Sequence, residues 1–178
     1  MTVTRLVLIR HAKTEQVGPA GLGDHGRRLL PRGDADGRAA GEWLVEHGLV
    51  PDLVLCSSAV RAEQTWEAMV AGADALTDVE VWREPRIYEA SPEALLQALS
   101  EVPDAEVPHV GLTVAMVGHA PGIPSLVVDL ADPEQAHEQA VDAFNAGFPT
   151  MAMAVLEAPA GVNLGSMTLS RMHAARGR

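Results

Sequence analysis

The stretch Leu6-Val7-Leu8-Ile9-Arg10-His11-Ala12-Lys13-Thr14 decides how this chain is read. Its first four residues are a continuous apolar run, which suits a strand buried on both faces, as in a parallel sheet between helical layers. The run stops at Arg10-His11, where a fixed cation stands beside a nitrogen nucleophile. Similar runs recur at Asp52 to Cys56, Val114 to Val117, Met151 to Leu156 and, more briefly, Met167 to Leu169. Val79 to Trp82 alternates only weakly and reads as an edge strand.

Helical patterns lie between these runs. Asp34 to His47 places Ala39, Ala40, Trp43 and Leu44 on one face, with Gly48 as a stop. Ala59 to Val70 follows Ser57 and Ser58, both candidate caps. Ser91-Pro92-Glu93 is a helix start with Ser at the cap and Pro in the first turn. Pro121 to Leu130 and Glu134 to Phe144 complete the set. Strands alternating with helices predict an α/β domain, a three-layer α/β/α sandwich around a mostly parallel sheet. The expected domain spans residues 1–172, with a flexible tail over 173–178. Val17 to Gly26 reads as an exposed glycine-rich loop.

In open α/β sheets, ligands sit beyond the carboxyl ends of the strands. Three runs end in polar groups of one kind: Arg10-His11; Ser57 and Ser58 followed by Arg61; and Gly118-His119. Two guanidinium groups and two imidazoles in one crevice suit a phosphoryl group, since arginine pairs with its oxygens and a neutral imidazole can attack phosphorus. The neighbouring cations are expected to hold His11 in its neutral form.

These segments resemble the histidine phosphatase (phosphoglycerate mutase-like) superfamily. Leu8 to Thr14 is similar to its Arg-His-Gly/Ala motif. Ser57 to Thr65 is similar to its Ser-x-x-x-Arg-Ala-x-Gln-Thr motif. Val117 to Gly122 is similar to its third motif, with Ala120 where many members have Asn. Arg28 to Gly33 and Ile87 to Ser91 resemble the small branch of SixA-type phosphohistidine phosphatases. The resemblance runs from about Thr4 to Leu169, with the motifs in family order. It implies a phosphoglycerate mutase-like fold and a phosphorylated His11. Arg10, Arg61 and His119 would bind phosphoryl oxygens, Thr14 would add a hydroxyl donor, and Glu89 stands where larger relatives carry a proton donor. Glu89 also reads as a solvated residue ahead of the Ser91 cap.

Only 27 residues separate Arg61 from Glu89 and 29 separate Glu89 from His119, leaving little room for a long lid. A leaving imidazole needs less acid assistance than a leaving alkoxide. Both points favour phosphohistidine on a signalling or phosphotransfer protein. A small-molecule phosphomonoesterase and a catalytically weak phosphate-binding module are the alternatives.

The formal net charge of -11 argues against nucleic acid or an anionic membrane as partner. The single cysteine, Cys56, excludes an internal disulfide and suits a reducing cytoplasm. The N-terminus lacks a signal-peptide pattern, and no apolar run reaches membrane-spanning length. Four residues separate Cys56 from Arg61, one fewer than a cysteine phosphatase loop needs, so Cys56 reads as core. No cluster has metal-ligand spacing and no glycine run matches a nucleotide loop, so neither metal nor cofactor is expected. A monomer or weak dimer is expected. His25, His47, His109, His137 and His173 read as structural or solvated, with His25 and Arg27 or Arg28 able to rim the pocket.

Overall fold

Residues 3–102, 111–158 and 161–177 are described in a computed structural model of the chain. The strands are β1 (Val3–Arg10), β2 (Leu53–Ser57), β3 (Glu80–Glu84), β4 (Leu112–Gly118), β5 (Ala152–Glu157) and β6 (Thr168–Ala174). The helices are α1 (Pro31–Glu46), α2 (Val60–Gly72), α3 (Pro92–Ser100), α4 (Gly122–Leu130) and α5 (Glu138–Asn145). The strands form one sheet in the order β3-β2-β4-β1-β5-β6. β1, β4, β2 and β3 pair in parallel, while β5 pairs antiparallel with both of its neighbours.

The apolar runs are continuous because both faces of the sheet are covered. Leu6 and Leu8 of β1 pack with Leu95 of α3 and Ile123 and Leu126 of α4. Val7 and Ile9 point the other way, to Leu44 of α1 and Trp66 and Met69 of α2. Each fully buried side chain of this kind contributes about 1.5–3 kcal/mol relative to exposure. β3 lies at the sheet edge with Glu80 and Arg83 exposed, charges that discourage further strand pairing.

Two glycines set how closely α1 approaches its neighbours. A Cβ on Gly41 would lie 2.0 Å from the Met69 carbonyl oxygen of α2. A Cβ on Gly33 would lie 2.1 Å from the Lys13 carbonyl oxygen, so the start of α1 rests directly on the segment that follows β1. The Leu30 N–H donates to that same carbonyl at 3.0 Å. The Arg28 to Gly33 stretch is therefore a brace for the strand end that carries His11.

Several boundaries differ from expectation for physical reasons. α1 begins at Pro31 rather than Asp34, because proline is tolerated in a first helical turn. α2 is not capped by serine; Ala59 holds the cap position, and both serines are engaged elsewhere. α5 starts at Glu138, because Asp132 draws Glu134 and Gln135 into a turn through its carboxylate. The tail expected from His173 does not begin there. His173 pairs with Met153 in the sheet and stacks on Trp43 at 4.4 Å, and Gly177 N–H donates to the Asp36 carboxylate at 2.8 Å. His109 lies outside the described residues.

Candidate active site

Strand register brings the chemistry together. Arg10 is level with Gly118 across the β1–β4 pair, so His11 and His119 emerge side by side, with ring centroids 5.2 Å apart. β2 flanks β4 on its other side, with Cys56 opposite Val117, which delivers Ser57 to the same end. Arg61 enters from the first turn of α2. The motif residues Gln64 and Thr65 fix the loops. Thr65 Oγ1 accepts from Ala12 N–H at 2.9 Å, and Gln64 Oε1 accepts from Leu29 N–H at 2.9 Å.

A cavity of about 320 Å³ opens here, lined by Arg10, His11, Lys13, Arg27, Arg61 and His119, among others. His11 Nδ1 lies 2.8 Å from the Ala12 carbonyl oxygen, an acceptor, so Nδ1 carries the proton and Nε2 keeps its lone pair. Burial pushes the His11 pKa down to about 4; Arg61, Arg10 and Arg27 add to that shift, and the Ala12 hydrogen bond opposes it. The sequence pointed to the cations as the cause, and burial proves the larger one. Burial, then Arg61 and His11, pushes His119 down to about 3. Ser57 Oγ lies 2.8 Å from His119 Nε2.

Three buried side-chain nitrogens have no hydrogen-bond partner among the described residues: Arg10 Nε, Arg61 Nε and His119 Nδ1. Other nitrogens of both arginines are anchored. Arg10 Nη1 donates to the Phe148 carbonyl at 2.7 Å. Arg61 Nη1 donates to the Asp24 carbonyl at 2.8 Å, and Nη2 pairs with the Asp24 carboxylate at 3.0 Å. The direction of the Ser57–His119 hydrogen bond follows the His119 tautomer, and the two arginine Nε–H groups are donors in either case. Leaving a buried donor unpaired costs about 1–3 kcal/mol. Arg10, Arg61 and His119 all line the cavity, so an oxyanion there has two guanidinium groups and an imidazole beside it.

Asp24 is the functional residue the sequence did not disclose. It sits in the glycine-rich loop yet reaches the site, pairing with Arg61, with Arg27 at 2.8 Å and with the Tyr88 hydroxyl at 2.9 Å. Its pKa is held down to about 2, chiefly by the Arg27 hydrogen bond. Thr14 lines the cavity but is not the free donor expected. Its hydroxyl donates to the Glu15 carbonyl at 3.0 Å and accepts from Arg27 at 2.6 Å. Glu89 stands exposed on the rim with a left-handed φ of 51°, strained for a residue with a Cβ. His25 and Arg27, weighed as rim residues, stand near the cavity: Arg27 lines it and His25 Nε2 lies 3.1 Å from Ser58 Oγ. Burial pushes the Cys56 thiol up to about 12, so it is core and no nucleophile.

A cationic hollow at the carboxyl ends of parallel strands, lined by arginines and two imidazoles, defines an anion-binding α/β protein. Residues 6–98 match the histidine phosphatase superfamily (branch 1). An uncharacterised protein of Mycobacterium tuberculosis is 33% identical over 148 residues, covering 83% of this chain and 85% of that protein. The solved structure of a protein assigned as phosphohistidine phosphatase SixA from Agrobacterium tumefaciens superposes with a TM-score of 0.72 at 26% identity, over 88% of this chain and 93% of that one. One with the same assignment from Nakamurella multipartitia gives 0.71 at 30% identity, over 92% and 94%. The chain belongs to the histidine phosphatase superfamily, with the SixA-type proteins as its structural kin. Among the described residues, no helix is long and apolar enough to cross a membrane.

Proposed function

We propose that this phosphatase works through a covalent phospho-His11 intermediate, and that its substrate is phosphohistidine on a signalling or phosphotransfer protein. The observation that carries the mechanism is one cavity lined by Arg10, Arg61, His119 and His11, whose Nε2 has no hydrogen-bond partner among the described residues. Arg10, Arg61 and His119 hold the phosphoryl oxygens, and they are already in place before charge develops. A bond forms from His11 Nε2 to phosphorus as the bond from phosphorus to the substrate nitrogen breaks. The electron pair leaves on the substrate imidazole, which takes up a proton. Water then attacks phospho-His11, releasing inorganic phosphate and the free imidazole of His11.

The positive charge that a metal would otherwise supply comes from the arginines, so chelators leave turnover unchanged. Glu89 lines the cavity, and a carboxyl group there favours the second reading, a small-molecule phosphomonoesterase, since an alkoxide needs an acid. A cytoplasmic setting fits a chain whose single cysteine is buried and free.

The test compares kcat/KM for a phosphohistidine-bearing phosphotransfer protein with that for phosphorylated metabolites, alongside trapping of acid-labile phosphoenzyme. His11→Ala is expected to abolish both turnover and trapping. Unchanged turnover in that variant rejects the mechanism. Higher efficiency on a metabolite, together with a large loss in Glu89→Gln, selects the monoesterase.

A further inference from the structure

The central strand β1 has β4 and β2 on one side and β5 on the other. His119 follows β4 and Arg61 follows β2, so both reach the cavity from the same flank of His11. Arg10, Lys13 and Arg27 belong to β1 and the loop that continues it. Among the described residues that line the cavity, only Thr150 comes from the β5 flank.

The segment that precedes β5 is tied to the strand end carrying His11. The Phe148 carbonyl accepts from Arg10 Nη1 at 2.7 Å. The Met151 N–H donates to the carbonyls of Arg10 and His11, at 3.2 Å each. The Ala152 N–H closes a turn on the Pro149 carbonyl at 3.0 Å. Phe148 also packs against Phe144 of α5, with ring centroids 5.9 Å apart. Met151 is fully buried and holds a left-handed φ of 64°. A residue with a Cβ rarely adopts that conformation, and it persists where surrounding contacts dictate it. The backbone on either side of Thr150 is thus fixed against the catalytic strand, and Thr150 itself is half-buried at the cavity wall.

A phosphoryl group in transfer spreads its charge over three equatorial oxygens. A hydroxyl offers one O–H donor that rotates to suit an acceptor. The Thr14 hydroxyl is committed to the Glu15 carbonyl and Arg27. The Thr150 hydroxyl has no hydrogen-bond partner among the described residues. We infer that Thr150 is a further catalytic residue, whose hydroxyl donates to a phosphoryl oxygen from the flank opposite Arg61 and His119. The inference rests on His11 being the nucleophile, and it passes to Thr150 the hydroxyl role that the sequence suggested for Thr14.

Thr150→Val removes the hydroxyl and keeps the β-branched shape. With 1-naphthyl phosphate as substrate, kcat is expected to fall roughly a hundredfold, the lower end of what loss of one preorganised donor costs, while KM changes little. Inhibition by orthovanadate, an analogue of phosphorus in transfer, should weaken in parallel. Thr150→Ser keeps the O–H and is expected to recover most of both. Urea midpoints should match wild type in both variants, whereas a role in packing alone would lower the midpoint and spare the orthovanadate inhibition. Thr150→Ala is read in the same way if the Val variant does not fold. Wild-type kcat and orthovanadate inhibition in Thr150→Val, or a Ser variant as weak as the Val variant, overturns the assignment. Wild type that forms no acid-labile phosphoenzyme overturns the His11 mechanism, and the part of Thr150 in it.

Discussion

His11 can attack phosphorus only while neutral, and its surroundings extend that condition well into acid. Its folded pKa of about 4 places the acid limb of kcat/KM below pH 5 rather than at the usual histidine value near 6.5. A pH–rate profile of the free enzyme locates that limb, and an inflection near 6.5 would contradict the burial argument. Asp24 supports a different expectation. It holds both Nη groups of Arg61, so it is a positioning residue for that guanidinium. Asp24→Asn is expected to lower kcat/KM about tenfold through less exact transition-state placement. Its melting temperature should fall modestly, because Arg61 is only 5% exposed and loses its anionic partner, while the Asp24 carbonyl and the new amide still accept from it. An equal loss of stability and activity would make Asp24 merely structural. That His11, Arg61 and His119 converge on one hollow was legible in the sequence because each follows a strand end within a few residues. Asp24 was not, since a carboxylate in a glycine-rich loop acquires its partners only when the loop folds back. The partners of the Thr14 hydroxyl were not legible for a related reason: one of them is Arg27, thirteen residues away.

At the level of elements, the sheet was readable because burial on both faces leaves unbroken apolar runs, and β3 was readable as an edge because its pattern is weak and charged. Helix starts were less readable, since Pro31 and the Asp132 turn act locally and the apolar periodicity does not register them. The glycines of α1 separate two functions of one helix. Gly41→Ala would press on the Met69 carbonyl, far from the catalytic groups. It is expected to cost about 1–3 kcal/mol of stability with kcat unchanged. Gly33→Ala would press on the Lys13 carbonyl, two residues from His11, and should lower stability and kcat together. Denaturant midpoints and kcat, measured side by side, test the contrast; identical behaviour of the two variants would remove the bracing role from Gly33. Glu89 is the converse case. Glu89→Gly relieves a left-handed φ and is expected to stabilise the protein by about 1 kcal/mol, while alkyl phosphate turnover falls if Glu89 is the acid.

Across the whole molecule, the excess of acid and the anionic substrate are reconciled by placement: of the 13 lysines and arginines, Arg10, Lys13, Arg27 and Arg61 line one cavity. That arrangement has a consequence for stability. His11 and His119 are buried without charge, at folded pKa values of about 4 and about 3 against an ordinary 6.5. Between about pH 6.5 and pH 4 the unfolded chain binds protons that the native state refuses, so stability falls as pH falls. The slope approaches roughly 1.4 kcal/mol per pH unit for each histidine. Below the folded values both states are protonated and this contribution levels off. The carboxylates depressed by ion pairs, Asp24, Glu84 and Glu101, lose their stabilising charge lower, below their unfolded values near 4. The two windows are therefore separable. Unfolding free energies from denaturant titrations at pH 7, 6 and 5 should decline in wild type. They should decline much less in His11→Gln/His119→Asn, where His173, itself depressed by burial, leaves a residual slope. Inorganic phosphate in excess should raise the wild-type curve and leave the double variant unmoved, because only the wild type retains the full set of groups that the anion engages. Equal slopes in the two proteins would mean that the histidines are not held neutral by the fold, and the low acid limit expected for catalysis would fall with them.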